Sequence, residues 1–231
     1  MLGIIGAMAE EVAHLKESMT DVTVTRAAEM EFYQGKLPGC VAVVVRPGIG
    51  KVNAAVCSQI LADRFGADRI INTGIAGSLR NEINIGDIVL SADALQHDMN
   101  AVGFGYKPGE IPQMDRSVFE GDPQLIELAR QCCAEVNPEI GVHVGRVVSG
   151  DQFIADQDKK KQLLKDFDGY CTEMEGAAVA QTAYLNRIPF LIVRAISDKA
   201  DNSAGMDYAE FEAGAIEHSV RLVKAMAAKL A

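Results

Sequence analysis

Short apolar runs recur along the chain, and longer amphipathic stretches separate them. Runs in which apolar residues do not alternate with polar ones are typical of strands that are buried on both faces. Such strands occur in mostly parallel sheets that carry helices on either side. The runs are Leu2–Ile5, Val41–Val45, Arg69–Ile71, Ile88–Leu90, Val147–Ser149 and Pro189–Ile196.

Between these runs, apolar residues recur at helical spacing. Val12, Leu15 and Met19 are three and then four residues apart, which places them on one face of a helix over Ala9–Met19. The other predicted helices are Val52–Phe65, Pro123–Val136, Met174–Leu185 and Tyr208–Leu230. Because strands and helices alternate, we expect an α/β fold of three layers, αβα, in which helices flank a central, mostly parallel or mixed sheet.

The length and the composition indicate one domain. The 231 residues lie at the upper end of the single-domain range, and 48% of them are apolar, which is enough for a large core. No linker, low-complexity segment or repeat interrupts the chain, so we expect residues 1–231 to form one domain. The richest turn region is Met99–Met114, a long excursion of the kind that is usually functional or interface-forming, with a plain surface loop as the alternative.

The charge balance argues against nucleic acids and anionic membranes as partners. The chain carries 32 acidic and 22 basic side chains, a formal net charge of −10, and this excess of carboxylates repels phosphate groups. A neutral pocket in such a protein can still bind a nucleoside, which carries no phosphate. No apolar run approaches the roughly 20 residues of a membrane-spanning helix, so we expect no membrane insertion.

The five cysteines form no Cys-x-x-Cys pair, and an odd number cannot all pair with one another. The apolar residues 1–8 lack a preceding basic region and run directly into Glu10 and Glu11. They therefore predict a buried first strand and not a signal peptide. Reduced cysteines without a signal peptide predict a cytoplasmic protein.

The sequence contains none of the common motifs for metals, phosphates or covalent catalysis. No Gly-x-Ser-x-Gly elbow occurs and no cysteine stands beside a histidine, so no nucleophile is visible. Gly48-Ile49-Gly50-Lys51 lacks the first glycine and the hydroxyl residue of a phosphate loop; it predicts a tight turn, as does Gly74-Ile75-Ala76-Gly77. The histidines are scattered, so we expect no metal and no cofactor: His14, His97, His143 and His218.

Polar residues and glycines follow several of the predicted strands. The carboxyl ends of parallel strands meet at one edge of a sheet, where ligands bind in open α/β folds. These segments therefore predict a shared pocket. They are Gly6–Glu11, Gly48–Lys51, Asn72–Gly77, Ser149–Phe153 and Ser197–Asp198.

Four carboxylates are candidates for acid–base chemistry. Glu173 and Glu175 flank Met174 at the start of an Ala-rich helix, where a buried charge is costly unless it is paired. Asp198 ends the most apolar strand, and burial there would raise its pKa. Glu11 stands at a helix start, where an acid also favours the helix dipole. For each of them, a solvated or capping carboxylate is the alternative.

Six segments occur together in one order and spacing: Gly6-Ala7-Met8-Ala9-Glu10-Glu11, Gly48-Ile49-Gly50-Lys51-Val52, Asn72-Thr73-Gly74-Ile75-Ala76-Gly77, Ser149-Gly150-Asp151-Gln152-Phe153-Ile154, Glu173-Met174-Glu175 and Arg194-Ala195-Ile196-Ser197-Asp198. The set resembles the bacterial 5′-methylthioadenosine/S-adenosylhomocysteine nucleosidases of the purine nucleoside phosphorylase-like superfamily. The resemblance covers nearly the whole chain. It implies a nucleoside phosphorylase/hydrolase-like fold and hydrolysis of the N-glycosidic bond of an adenine nucleoside, without a cofactor.

The resemblance also implies roles for individual residues. Asp198 would protonate N7 of the leaving adenine, Glu11 would activate the attacking water, and Glu175 would hold the ribose hydroxyls. Phe104 and Pro112 match residues that reach the partner's site in a homodimer. The other substrate-binding residues would be Met8, Ile49, Ile75, Ala76, Gly77, Phe153, Ile154, Glu173, Met174, Arg194, Ser197 and Tyr208.

Three alternatives stay open at this stage. A purine nucleoside phosphorylase would need cationic groups around a phosphate, and neither Glu11 nor the Asn72–Gly77 segment offers one. An aminofutalosine hydrolase, or an enzyme acting on 5′-deoxyadenosine, would differ in the 5′ substituent of its substrate. A nucleoside-binding protein would keep the pocket without turnover. Ile75 also departs from the family pattern, which often has serine at this position.

Overall fold

The computed structural model describes residues 1–6 and 8–230, and for Glu11 it describes the backbone alone. The strands are β1 (Leu2–Gly6), β2 (Thr20–Ala27), β3 (Met30–Leu37), β4 (Cys40–Val45), β5 (Arg69–Ser78), β6 (Ile88–Gln96), β7 (Phe119–Glu120), β8 (Val142–Ser149), β9 (Cys171–Glu173) and β10 (Phe190–Asp198). The helices are α1 (Ala9–Glu17), α2 (Lys51–Phe65), α3 (Pro123–Val136), α4 (Gln157–Phe167), α5 (Gly176–Asn186) and α6 (Ala204–Lys229), and a 3₁₀ turn covers Val102–Phe104.

One mixed sheet runs through the molecule with β5 near its centre. β1 and β10 lie parallel to β5 on either side, and β4 lies parallel to β1, with Leu2 opposite both Ala42 and Arg69. The strands β3 and β2 extend this edge in antiparallel fashion. Beyond β10, the sheet continues through β6 and β8 to the short β9, which returns to β5. The strands β5, β10, β6, β8 and β9 therefore close into a ring.

Successive side chains of the central strands enter two different cores. On β5, Ile70 belongs to one core and Ile71 to the other, because alternate residues of a strand face opposite sides of the sheet. Helices α2 and α5 cover the first face, and α1, α3 and α6 cover the second. Both faces are buried, which explains why the strands read as unbroken apolar runs. The predicted class, an α/β fold with a central sheet flanked by helices, is confirmed.

The turn predicted at Gly74-Ile75-Ala76-Gly77 is wrong, because β5 continues through it to Ser78, and the whole segment Asn72–Gly77 belongs to this strand. The neighbouring β10 runs alongside and pairs with every residue of the segment. The side-chain amide of Asn72 donates to the backbone oxygen of Ile5 at 3.0 Å, which satisfies this buried polar group. Pairing between strands therefore outweighs the local turn signal of the glycines.

Some elements have no counterpart among the predicted ones: β2, β3, β7, β9 and α4. β2 lies at the sheet edge and is exposed along nearly all of its length, so it lacks the apolar signature on which the prediction depends. The last helix begins at Ala204, a few residues before the predicted start at Tyr208. No helix within residues 1–6 and 8–230 is long and apolar enough to cross a membrane.

Candidate functional site

A pocket of about 470 Å³ opens beyond the carboxyl ends of β1, β5, β8, β9 and β10, where ligands bind in sheets of this kind. The chain segments that follow these strands come from distant parts of the sequence, and the sheet order brings them together. Twelve of the predicted site residues line the pocket: Met8, Ile49, Ile75, Ala76, Gly77, Phe153, Glu173, Met174, Glu175, Ser197, Asp198 and Tyr208.

Asp198 occupies the last position of β10 and is 2% exposed. Burial raises the pKa of Asp198 above its ordinary value, and the negative charges of Asp207 and Asp201 act in the same direction. Two hydrogen bonds oppose this shift: Ala200 N–H donates to Oδ1 at 2.8 Å, and the Ser197 hydroxyl donates to Oδ2 at 2.9 Å. Because the raised pKa prevails, Asp198 is suited to hold a proton and to donate it into the pocket.

Glu173 is held by groups of the protein itself. Its Oε2 accepts hydrogen bonds from Glu175 N–H at 3.0 Å, Gly176 N–H at 2.7 Å and Arg194 Nη2 at 2.5 Å. Its Oε1 accepts the hydroxyl of Ser149. Burial acts to raise the pKa of Glu173, but these partners, led by the Arg194 charge, outweigh it and lower the pKa. The side chain is therefore an ionised anchor that fixes the backbone of the neighbouring residue Glu175.

Arg194 is the largest fully buried side chain, and it joins three strands of the sheet. Its guanidinium contacts Glu173 on β9, and it donates to Oδ1 of Asn72 on β5 at 2.6 Å. On β10 it donates to the backbone oxygen of Val193 at 3.0 Å. Arg194 is not among the described residues that line the pocket, and its guanidinium contacts the pocket residue Glu173.

Glu175 occupies the N-cap position of α5 and is 6% exposed. Its Oε1 accepts a hydrogen bond of 2.8 Å from the backbone N–H of Gly50, which precedes α2. The pocket thus has a second carboxylate, on a side chain whose backbone is tied to Glu173 and whose oxygen is tied to another element. Fixed carboxylates of this kind can bind sugar hydroxyls or stabilise a developing positive charge.

The pocket mouth has apolar walls. The rings of Phe153 and Tyr208 meet edge to face with their centroids 6.0 Å apart, and the Tyr208 hydroxyl lies 3.4 Å from Sδ of Met8. Phe153 and Ile49 are each more than half exposed, although their side chains are large and apolar. Large apolar side chains exposed around a concave site are typical of a surface that covers a flat or apolar ligand.

Three other predicted residues, Ile154, Phe104 and Pro112, do not line this pocket. Ile154 lines a small adjoining cavity that also contacts Gly77 and Asp198. Phe104 lies in the 3₁₀ turn with 89% of its surface exposed, and Pro112 is half-buried in the following loop. The side chain of Glu11 lies outside the described residues, although its backbone belongs to the first turn of α1.

The sequence-based prediction missed two residues that line the pocket. Thr172 lies on β9, opposite Gly77 in the sheet. Its position directly before Glu173 was a signal that could have identified it. Gly205 lies in the first turn of α6, and no local pattern distinguishes it from other glycines. Only the packing of α6 over the sheet brings it to the pocket.

The chemistry of the pocket favours an uncharged ligand with an apolar part. Among its described lining residues there is a protonatable acid, Asp198, and there are two further carboxylates, but there is no lysine or arginine. Carboxylates repel a phosphate group, so a neutral ligand fits this electrostatic setting better than an anionic one. The arrangement can protonate a leaving group on one side and stabilise positive charge on the other.

Comparisons with known proteins agree with this geometry. The family model described as the phosphorylase superfamily matches residues 1–228. A 5′-methylthioadenosine/S-adenosylhomocysteine nucleosidase of Staphylococcus aureus is 40% identical to the chain over 231 residues, and the match covers 100% of both. The nucleosidase of the same name from Neisseria meningitidis, solved with methylthio-immucillin-A, superposes with a TM-score of 0.94 at 36% identity and 99% coverage of both chains. A futalosine hydrolase of Helicobacter pylori superposes with a TM-score of 0.93 at 30% identity, covering 99% of this chain and 97% of the other.

Proposed function

The chain belongs to the phosphorylase superfamily, and from this premise we propose that it hydrolyses the N-glycosidic bond of 5′-methylthioadenosine and S-adenosylhomocysteine. The products are adenine and the corresponding 5-thioribose sugar. Relatives about 40% identical along their whole length carry this name, and the related structure from Neisseria meningitidis holds a methylthio-immucillin in its site. In a cell, such a reaction serves methionine salvage and removes S-adenosylhomocysteine.

The observation that carries the proposal is the buried acid at the end of β10. Loss of adenine leaves an electron pair on the base, and a proton delivered to N7 neutralises it in the transition state. Asp198, whose pKa burial raises, is the proposed donor, and the Ser197 hydroxyl orients it. General acid catalysis of this kind contributes about 10² to 10⁴ in rate.

The sugar becomes an oxocarbenium-like cation as the base leaves, so anionic groups near it lower the barrier. Glu175 is the proposed ligand of the ribose hydroxyls, with Met174 beside it. Glu11 is proposed to hold and activate the attacking water, a role supported by its position in the first turn of α1, directly after β1. Glu173 accepts a hydrogen bond from the backbone N–H of Glu175 and is itself held by Arg194, so these two residues fix the backbone of Glu175.

The rest of the pocket is proposed to hold the base and the 5′ group. Phe153 stacks on the adenine, and the backbone of Ile154 recognises the polar edge of the base. Met8, Ile49 and Tyr208 form the wall along the ribose and the 5′ substituent. The strand segment behind the base consists of Ile75, Ala76 and Gly77, and the small residues Ala76 and Gly77 let the flat ring approach the backbone.

Hydrolysis is favoured over phosphorolysis because of the pocket's charge. A phosphorylase has to bind a phosphate beside the sugar, and cationic groups are the usual means. The described pocket lining contains carboxylates and no cationic side chain. A futalosine hydrolase differs in the 5′ substituent of its substrate, and relatives that are 39% and 40% identical to this chain are named for thioether nucleosides. 5′-Deoxyadenosine is a further candidate substrate.

We also propose a homodimer in which the partner's Phe104 and Pro112 complete the 5′ end of each pocket. Exposed apolar side chains support this proposal: Phe104 is 89% exposed, Val52 on α2 is 73% exposed, and Val102 is 50% exposed. Large apolar surface of this kind is typical of a protein interface. A partner that covers the 5′ end with apolar side chains would favour the thioether that both proposed substrates share.

The proposal also includes the domain organisation and the cellular location. We propose that residues 1–231 act as one nucleosidase domain, because the ten-stranded sheet joins elements from β1 to β10 without interruption. We propose a cytoplasmic location, because all five cysteines are free thiols and four of them are buried.

The test is adenine release from 5′-methylthioadenosine in phosphate-free buffer and again with added phosphate, with the sugar product identified. We expect free 5-methylthioribose at a rate that phosphate does not change. Phosphate-dependent formation of a sugar 1-phosphate would make the protein a phosphorylase and would overturn the role of Glu11. If the protein bound adenine nucleosides with a series of 5′ substituents tightly but released adenine from none of them, it would be a nucleoside-binding protein and not an enzyme.

A further inference from the structure

The N-terminus of α2 is capped by carboxylates from distant parts of the chain. The first N–H groups of a helix have no partner within it, and α2 has neither a local capping side chain nor an acidic residue in its first turn. Instead, Gly50 N–H donates to Oε1 of Glu175 at 2.8 Å, and Lys51 N–H donates to Oδ1 of Asp151 at 2.8 Å. The helix start is therefore bound to the two loops that follow β8 and β9.

The side chain of Lys51 closes this arrangement. A cation at a helix N-terminus is electrostatically unfavourable, so this lysine needs compensation. Its Nζ lies 2.5 Å from Oδ1 of Asp98 and 3.0 Å from Oε1 of Gln96, at the end of β6. The other oxygen of Asp98 accepts the N–H of Asp151 at 3.0 Å. Lys51, Asp98 and Asp151 thus form a closed set of three residues, called the clamp below.

The clamp is charged, and two of its three residues are half-buried, while Asp151 is exposed. The side chains of Lys51 and Asp98 are 18% and 17% exposed. Burial acts to raise the pKa of Asp98, but the hydrogen bonds from Lys51 and from the Asp151 backbone outweigh it and lower the pKa. The Asp98 carboxylate therefore stays ionised at neutral pH, and the contact with Lys51 is shielded enough from water to be more than a weak surface contact.

The position of the clamp relates it to the pocket. Ile49 stands two residues before Lys51, and Phe153 stands two residues after Asp151. Both side chains line the pocket, and both are more than half exposed. Their positions depend on the two backbone segments that the clamp ties together.

We propose that the clamp is a positioning device for the nucleoside pocket. It holds the segments that carry Ile49 and Phe153 against each other, and through Gly50 it holds the carboxylate of Glu175. This inference rests on the proposed nucleosidase function. The clamp residues touch the site through their neighbours, so they are positioning residues whose main effect is on substrate binding.

The variants Asp98→Asn and Lys51→Met test this. Asparagine keeps the shape of Asp98 but cannot accept from both Lys51 and Asp151, and methionine keeps the stem of Lys51 without its charge. We expect each variant to lower kcat/KM for 5′-methylthioadenosine by about tenfold, mostly through a higher KM. The double variant should lose no more than the worse single variant, because both changes break one interaction.

The matched control is Asp93→Asn. Asp93 also lies on β6 and forms a similar half-buried pair, accepting from Arg146 at 2.6 and 2.8 Å, but it does not line the pocket. We expect this variant to lower the melting temperature and to keep KM and kcat. A loss of kcat/KM in Asp93→Asn equal to that in Asp98→Asn, or an unchanged KM in both clamp variants, would overturn the proposal.

Amide hydrogen exchange separates this inference from the proposed function. In Asp98→Asn we expect faster exchange at residues 48–51 and 150–153 and unchanged exchange in the rest of the sheet. If the unaltered protein releases no adenine, the nucleosidase proposal fails, and exchange alone then decides. Faster exchange in both segments supports the clamp, and unchanged exchange refutes it.

Discussion

Gly77 and Asp198 face each other across neighbouring strands so closely that a β-carbon on residue 77 would lie 2.6 Å from Oδ1 of Asp198. The same β-carbon would lie 2.9 Å from the β-carbon of Ala200, whose N–H bonds to that oxygen. No real β-carbon tolerates contacts this short. The position of Asp198 therefore depends on the absence of a side chain at residue 77.

The substitution Gly77→Ala is expected to displace Asp198 and to lower kcat by tenfold or more. Overpacking of this kind also costs about 1–3 kcal/mol of unfolding free energy. Steady-state kinetics and denaturant unfolding measure the two effects. The control is Gly214→Ala in α6, where a β-carbon meets nothing within 4 Å and alanine favours the helix. Normal turnover in Gly77→Ala would show that the acid does not need this exact position.

Asp198→Asn is expected to lower kcat by about 10² to 10⁴, because the amide cannot donate the proton that the leaving base needs. Binding of the nucleoside, measured by calorimetry, should be retained, because the amide keeps the shape of the side chain. Turnover close to that of the unaltered protein would contradict the assignment of Asp198 as the general acid.

The same variant should also change how stability depends on pH. The folded-state pKa of Asp198 is raised, chiefly by burial, so its contribution to stability is complete below its unfolded pKa and is lost as pH rises through the folded pKa. An asparagine has no such loss. The melting temperature of Asp198→Asn should therefore rise relative to that of the unaltered protein as pH increases. A difference that is the same at every pH would mean that the pKa is not raised.

Asp207→Asn is expected to move the alkaline limb of kcat/KM to lower pH. The Asp207 carboxylate helps to raise the pKa of Asp198, so its removal lets Asp198 lose its proton at a lower pH. The asparagine oxygen can still accept the Ser203 hydroxyl, which donates to Asp207 at 2.6 Å. The pH profile of the control Asp63→Asn, near the end of α2, should match that of the unaltered protein. A shift to higher pH in Asp207→Asn would contradict this electrostatic link.

Phe104→Ala is expected to raise KM for 5′-methylthioadenosine about tenfold with little change in kcat, because the ring is proposed to cover the 5′ group from the partner subunit. Sedimentation at several concentrations should show a dimer for the unaltered protein. Val24→Ala, which trims another exposed apolar residue on the edge strand β2, is the control and should change neither value. A monomer with full activity would rule out a contribution from a partner.

Much of the fold could be predicted because its elements are encoded locally. The helix predicted over Pro123–Val136 has the observed bounds of α3: Asp122 caps it by accepting from Gln124 and Leu125 N–H, and a proline begins it. The predicted core strands lie within β1, β4, β5, β6 and β8, and within β10 except for the leading proline. In both cases the signal is contained in a few neighbouring residues.

The candidate site was predictable where a functional residue follows a strong element. Asp198 ends a mostly apolar strand, and Glu175 precedes an Ala-rich helix, so both could be placed at the sheet edge from the sequence. The turn predicted at Gly74-Ile75-Ala76-Gly77 was wrong, because β5 continues through it beside β10, and Gly77 serves close contact with Asp198. A local pattern does not distinguish these two uses of glycine.

The sequence by itself determined the alternation of strands and helices, the buried character of the sheet and the acids at its edge, because each depends on the periodicity of adjacent residues. Only the tertiary structure decided which carboxylates meet which partners. Glu173 is held by Arg194 across 21 positions of sequence, and Lys51 is held by Asp98 across 47 and by Asp151 across 100. These contacts follow from the order of strands in the sheet, which the free energy of the whole core sets and no local segment encodes.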